Sequence, residues 1–269
     1  MNQLRIGKEV DQQMPKKFHK SWSMQASADG QSADVFILGE IVPGGYEWDE
    51  SDTSAQSFQR DLQLLGDVSA IKVHLDSIGG SVFEGVAIGN MLSMHKATVD
   101  MYVISLAASI ASIIAMAGDH IYMPANAMMM VHNPSMFAWG NPADLRKQAD
   151  DLDHIGASMK QTYLNRAGDK LDEQTITELM DNETWLSAQE AVDYGLADEI
   201  ISPVNAAASI SNKWADRYRN VPENLLRNQS EQPAAIVGGG DPAIAAGLNP
   251  RPKNEPSLLS KKLKILRGE

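Results

Sequence analysis

Apolar and polar positions alternate along Asp34 to Ile41 and again at Ile71, Val73 and Leu75, a period of two that predicts half-buried strands. Between and after them the spacing changes. Ser54 to Leu65 and Val82 to Met94 carry apolar residues at helical intervals, and Asp76 to Ser81, which holds Gly79-Gly80, predicts a turn between the second strand and the second helix. Asn141-Pro142-Ala143-Asp144 is a helix start: Asn caps, Pro fits the first helical position and Asp faces the positive end of the dipole. That helix is expected to run to Ala167 and to stop at Gly168. Ser187 and Glu190 make a capping box for a short helix ended by Gly195, and Gly44-Gly45 to Asp52 reads as a loop. Strands followed in this way by helices predict an α/β fold.

The longest uncharged run, Met101 to Gly118, is barely long enough for a membrane span, which needs about 17 to 25 apolar residues. Three serines interrupt it. Met101 to Ile104 is strand-forming while Ile110 to Ala117 is small and helix-compatible, so the run predicts a buried strand, a tight turn and a buried helix with Ser109 in its first turn. A hydroxyl there lies beside unpaired backbone N–H groups at the positive end of a dipole, which suits a nucleophile; a small serine back-bonded in a packed helix has the same pattern. Gly79-Gly80 likewise either points N–H groups at an oxyanion or makes an ordinary turn. His132 ends the short apolar strand Met128 to Val131 just before Asn133-Pro134, where it either shuttles a serine proton or is a partly buried structural histidine. His74, His95, His120 and His154 have no comparable placement.

In order, Gly79-Gly80, Ala107-Ala108-Ser109, His132-Asn133-Pro134 and the segment from Trp185-Leu186-Ser187 to Gly195-Leu196-Ala197-Asp198 resemble the ClpP-type serine peptidases. Within that group they are most similar to the ClpP-related head-maturation proteases of tailed phages. The resemblance covers about residues 34 to 202. It implies a ClpP/crotonase-like spiral of ββα units, with the helix after Asn141 as a handle joining two stacked rings. It also implies a serine endopeptidase cutting polypeptide substrate inside a ring-shaped homo-oligomer, with no metal or organic cofactor. By position, Ser109 is the nucleophile, His132 the general base, and Gly80 and Ile110 the N–H donors of the oxyanion hole.

The family's acid falls shortly before an aromatic-Leu-Ser segment, which here follows Asp181-Asn182-Glu183-Thr184. Ungapped alignment on Trp185 assigns Glu183, whereas residue type alone favours Asp181; Glu183 is the expected acid and Asp181 the alternative. Ile78 departs from the pattern, since the well-known members carry proline before the glycine pair and so preset that turn. A phage setting would make capsid, portal or scaffold proteins the substrates. Two other readings stand beside the peptidase: an acyl-CoA enzyme of the same spiral fold, which shares the two-N–H oxyanion hole but needs no serine–histidine pair, and a non-catalytic shell or scaffold component. Ser109 together with His132 argues for the peptidase.

Composition changes this picture little. A chain of 269 residues that is 43% hydrophobic can bury a full α/β core and still leave tails, and without cysteine it has neither disulfide nor thiolate chemistry. The net charge of -12 argues against a nucleic-acid partner. No apolar core follows Lys16-Lys17, so no signal peptide is expected, the expected location is cytoplasmic, and no membrane partner is implied. The organisation predicted is an arm over 1–33, a peptidase domain over 34–204 and a flexible, low-complexity tail over 205–269. Within the tail a helix is expected near Ser211 to Arg219. The basic, amphipathic end Lys261 to Arg267 is either solvated or docks on an acidic partner or sister subunit.

Overall fold

Alternating branched residues build the centre of the sheet. The computed structural model describes residues 24–26, 30–46, 53–203, 210–211 and 217–227. Within it β2 (Ser32–Ile41), β3 (Ala70–Gly80) and β4 (Thr98–Ala108) run parallel, so that Val35, Val73 and Met101 form one row and Ile37, Leu75 and Val103 the next. All six side chains are fully buried. Helices α1 (Ala55–Leu64) and α2 (Val82–Ser93) make the crossovers and bring Phe58, Leu62, Ile88 and Leu92 to the same core. β5 (His120–Pro124) and β8 (Glu199–Ile201) continue the parallel sheet beyond β4, and β1 (Met24–Ala26) pairs antiparallel with β2 at the other edge. The result is a mixed α/β fold on a largely parallel sheet, as the sequence pattern predicts.

β4 is long enough to take a second partner. Its far end pairs with β6 (Met128–Val131), which in turn holds β7 (Thr184–Ser187) antiparallel. The helix α3 (Ile110–Ala115) follows β4 after one residue. Then α4 (Pro142–Ala167) starts at the Asn141 cap, with Asp144 completing a capping box, and stops at Gly168 as expected. Its apolar stripe is graded: Leu145 is exposed, Leu152 and Ile155 half-buried, Met159 buried. The remaining helices are α5 (Glu173–Asp181) and α6 (Ala188–Asp193), the latter capped by Ser187 with Glu190.

On the other side of the β2–β5 rows the rings of Phe36, His74, Tyr102 and Tyr122 stack in succession, with centroids 4.5, 5.7 and 4.8 Å apart. His74 is buried there, its Nε2 2.7 Å from Asp34 Oδ1, so this histidine belongs to the sheet.

Several expectations need correction. Asp76 to Ser81 is not a turn, because β3 continues to Gly80; Ile78 is the extra residue of a bulge, Gly39 pairing with Ser77 and Glu40 with Gly79. Unlike a proline, Ile78 leaves the strand free to continue. The arm is not wholly outside the fold, since β1 and the start of β2 precede Asp34. Nor does the packed domain end at residue 204: β9 (Ile210–Ser211) pairs parallel with β10 (Leu226–Arg227), Tyr218 and Val221 pack on the rest, and Leu225 is buried. Of the helix expected near Ser211 to Arg219, Ser211 is strand and Arg217 to Arg219 are not helical, while 212–216 lie outside the described residues. The loop residues 47–52 and the basic end Lys261 to Arg267 lie outside the described residues.

Candidate functional site

A single residue turns the chain from β4 into α3. Ser109 does so with φ 58° and ψ −128°, a conformation that a residue with a Cβ adopts only when its surroundings enforce it. It is therefore the cap of the helix, not a member of its first turn as expected. Three contacts enforce the elbow. Ser109 N–H donates to Met130 O at 2.9 Å, the Ser112 hydroxyl donates to Ser109 O at 2.5 Å, and the Tyr163 hydroxyl, from α4, lies 2.7 Å from Ser112 Oγ. Ser112→Ala should leave the buried Tyr163 hydroxyl without this partner and cost about 1–3 kcal/mol, read as a lower urea midpoint.

The glycine pair closes the other side of the elbow. A Cβ on Gly79, whose φ is +85°, would lie 2.7 Å from Ser109 Cβ and 3.1 Å from Ile110 N, so this approach requires glycine. Gly80 abuts β2 instead, where a Cβ would fall 2.1 Å from Ile41 O. Ile110 heads α3, and the amide of a first helical residue has no acceptor within the helix.

His132 arrives by strand register. Ala108 pairs with Met130, which sets the end of β6 beside the elbow and brings His132 Nε2 to 2.7 Å from Ser109 Oγ. The imidazole is largely buried, and burial lowers its pKa below the ordinary 6.5; the Glu183 charge raises it and the Arg219 charge lowers it further. A neutral ring at pH 7 is the state that accepts a proton. If His132 is the base, hydrolysis should be full above pH 6.5 and decline only as pH falls through its depressed pKa, measured as the acid limb of kcat/KM.

The same register brings a carboxylate to His132. β6 and β7 pair antiparallel with Val131 opposite Thr184, and just beyond that pair His132 and Glu183 lie side by side. Glu183 turns there with φ 51°, is only 4% exposed, and holds Oε2 3.9 Å from His132 Nδ1, within ion-pair range but beyond a hydrogen bond. Asp181, the alternative, is exposed and accepts from Asn133 Nδ2 at 2.6 Å. The structure thus gathers Ser109, His132 and Glu183 and leaves Asp181 aside. Ser109 and Glu183 are also the non-glycine residues of positive φ among those described, and such strain concentrates at functional sites.

Sequence reasoning missed Tyr218, Arg219 and Asn220. The Tyr218 ring stands edge-on to His132 at 5.6 Å and to Trp185 at 5.7 Å, Arg219 Nε is 3.9 Å from Glu183 Oε2, and Asn220 N–H donates to Glu183 Oε1 at 2.9 Å. The available signal was Tyr218 itself, a large ring in a small and polar stretch, which is costly to leave in water.

Among the described residues no group of three or more His, Asp or Glu is arranged to hold a metal ion, and no helix is long and apolar enough to cross a membrane. Over residues 46–204 the chain matches the family model described as Clp protease.

Proposed function

Because the chain belongs to the Clp protease family, we propose that it is a serine-type endopeptidase with Ser109 as nucleophile, His132 as general base and Glu183 as the orienting acid. The observation that carries this reading is the 2.7 Å contact between Ser109 Oγ and His132 Nε2 at a strained elbow. Ser109 Oγ adds to the scissile carbonyl as its proton passes to Nε2, and the Glu183 carboxylate stabilises the imidazolium so formed. The oxyanion is met by the amides of Gly80 and Ile110. Collapse expels the amine, which takes the proton from Nε2; water then hydrolyses the acyl-enzyme by the same shuttle. A fluorophosphonate should label Ser109 and stop cleavage of a fluorogenic peptide. Labelling elsewhere, or none with cleavage intact, overturns the assignment.

The compartment belongs to the same proposal. Phe137 and Trp139 are almost wholly exposed and Met136 and Leu145 are exposed beside them, a cluster at the start of α4 that a lone domain leaves in water. This supports a handle that joins copies of the chain into a ring or a pair of rings, within which polypeptide is cut. In a phage setting the substrates are capsid, portal or scaffold proteins. Sedimentation should give a ring or double ring at micromolar concentration; a fully active monomer would reject the compartment.

A further inference from the structure

The stretch Arg217–Val221 lies beyond residues 46–204, yet it reaches both His132 and Glu183 of the proposed triad. Its contacts fall into two sets. Tyr218 packs with Ile78, Met128 and Trp185 around buried Leu106, Ala108 and Met130, and its phenol donates to Ile78 O. That pins the ring against the imidazole of His132. Two residues on, the Asn220 amide holds Glu183 Oε1, and Asn220 Nδ2 donates to Asn182 O at 2.7 Å, so backbone and side chain together grip the turn that carries the acid. Arg217 ties the start of the stretch to Glu40 at 2.5 Å.

We infer that Arg217–Val221 is a positioning element of the active site, in which Tyr218 fixes the His132 ring and the Asn220 amide aims the Glu183 carboxylate at Nδ1. A buried carboxylate needs donors, and one tethered at Oε1 can rotate little, which leaves Oε2 facing both His132 Nδ1 and Arg219 Nε at 3.9 Å. An imidazole bounded by a phenol ring cannot swing away from Ser109. Catalytic geometry is sensitive on this scale, since a misplacement of about 1 Å costs on the order of 100-fold in rate. The inference rests on the peptidase reading for its kinetic arm only.

The test uses the full-length chain with Tyr218→Ala, Tyr218→Phe and Asn220→Pro. Against a fluorogenic peptide, Tyr218→Ala and Asn220→Pro should each lose about 10- to 100-fold in kcat with KM little changed, and Tyr218→Phe, which keeps the ring, should recover most of the loss. A second readout needs no turnover: His132 titrated by NMR in the Ser109→Ala background. The groups facing its ring are Ser109, Glu183, Tyr218 and Arg219. Tyr218→Ala re-hydrates the imidazole and should raise its pKa toward 6.5, while Asn220→Pro frees the carboxylate that raises it and should lower it further. General loosening would move both variants upward. Unchanged or higher kcat in Tyr218→Ala would make the stretch a cover over the nucleophile and overturn the inference, as would a His132 titration that neither variant moves. If the wild-type chain cleaves nothing while the two titrations shift oppositely, the peptidase reading fails and the positioning role stands. If Asn220→Pro does not fold, Tyr218→Ala and Tyr218→Phe decide.

Discussion

Ser109→Ala is expected to abolish peptide hydrolysis, by about a millionfold in kcat, and to leave the fold and the assembly intact. On the proposed mechanism the two effects separate, because the side chain of Ser109 serves chemistry while its backbone serves structure. The elbow is held through Ser109 N–H and Ser109 C=O, both of which alanine keeps, and alanine is no worse than serine at φ 58°. What is lost is one hydrogen bond to His132, worth about 1 kcal/mol. Activity together with unfolding midpoint and sedimentation is the measurement. A fully active Ser109→Ala would remove Ser109 from the mechanism. Ser112 is the natural alternative, but its hydroxyl is committed to Ser109 O and Tyr163.

Glu183→Gln should lower kcat on the order of 10⁴-fold with KM little changed, whereas Asp181→Asn should be near normal. An orienting carboxylate acts on the imidazolium that forms in the transition state, so its loss reaches rate more than binding. Glu183 is buried beside Nδ1, and closing the 3.9 Å gap to a hydrogen bond takes about 1 Å, a tightening common when substrate binds. Asp181 faces solvent and Asn133. The reverse outcome would shift the acid by two residues, and activity in both variants would mean a serine–histidine dyad.

The elements around the site were legible because their signals are local. Asn141, Pro142 and Asp144 specify a helix start by side-chain chemistry that needs no distant partner, and the same holds for Ser187 with Glu190. Ile71, Val73 and Leu75 reveal a buried strand face through spacing alone. The turn expected at Asp76 to Ser81 failed for the opposite reason: Gly79-Gly80 is compatible with a turn, but the edge of β2, distant in sequence, holds it as strand. The elbow was misplaced by one residue on similar grounds. Met130 O, not any neighbour in sequence, fixes the backbone of Ser109.

Residue types and their order carried the resemblance from which the reaction class of this chain was expected: a serine after Ala107-Ala108, a histidine before Asn-Pro and an acid before Trp-Leu-Ser. Tertiary structure alone decided how they meet. The β4–β6 register sets the 2.7 Å between Ser109 and His132, and the β6–β7 register favours Glu183 over Asp181. Strand pairing is an interaction between segments far apart in sequence, and slipping it by one residue would turn every side chain to the other face, so no local pattern could state it. Tyr218 and Asn220 carry the point furthest. Their stretch has no periodicity of its own, and it becomes part of the site because Ile78, His132 and Glu183 offer it a carbonyl, a ring and a buried carboxylate.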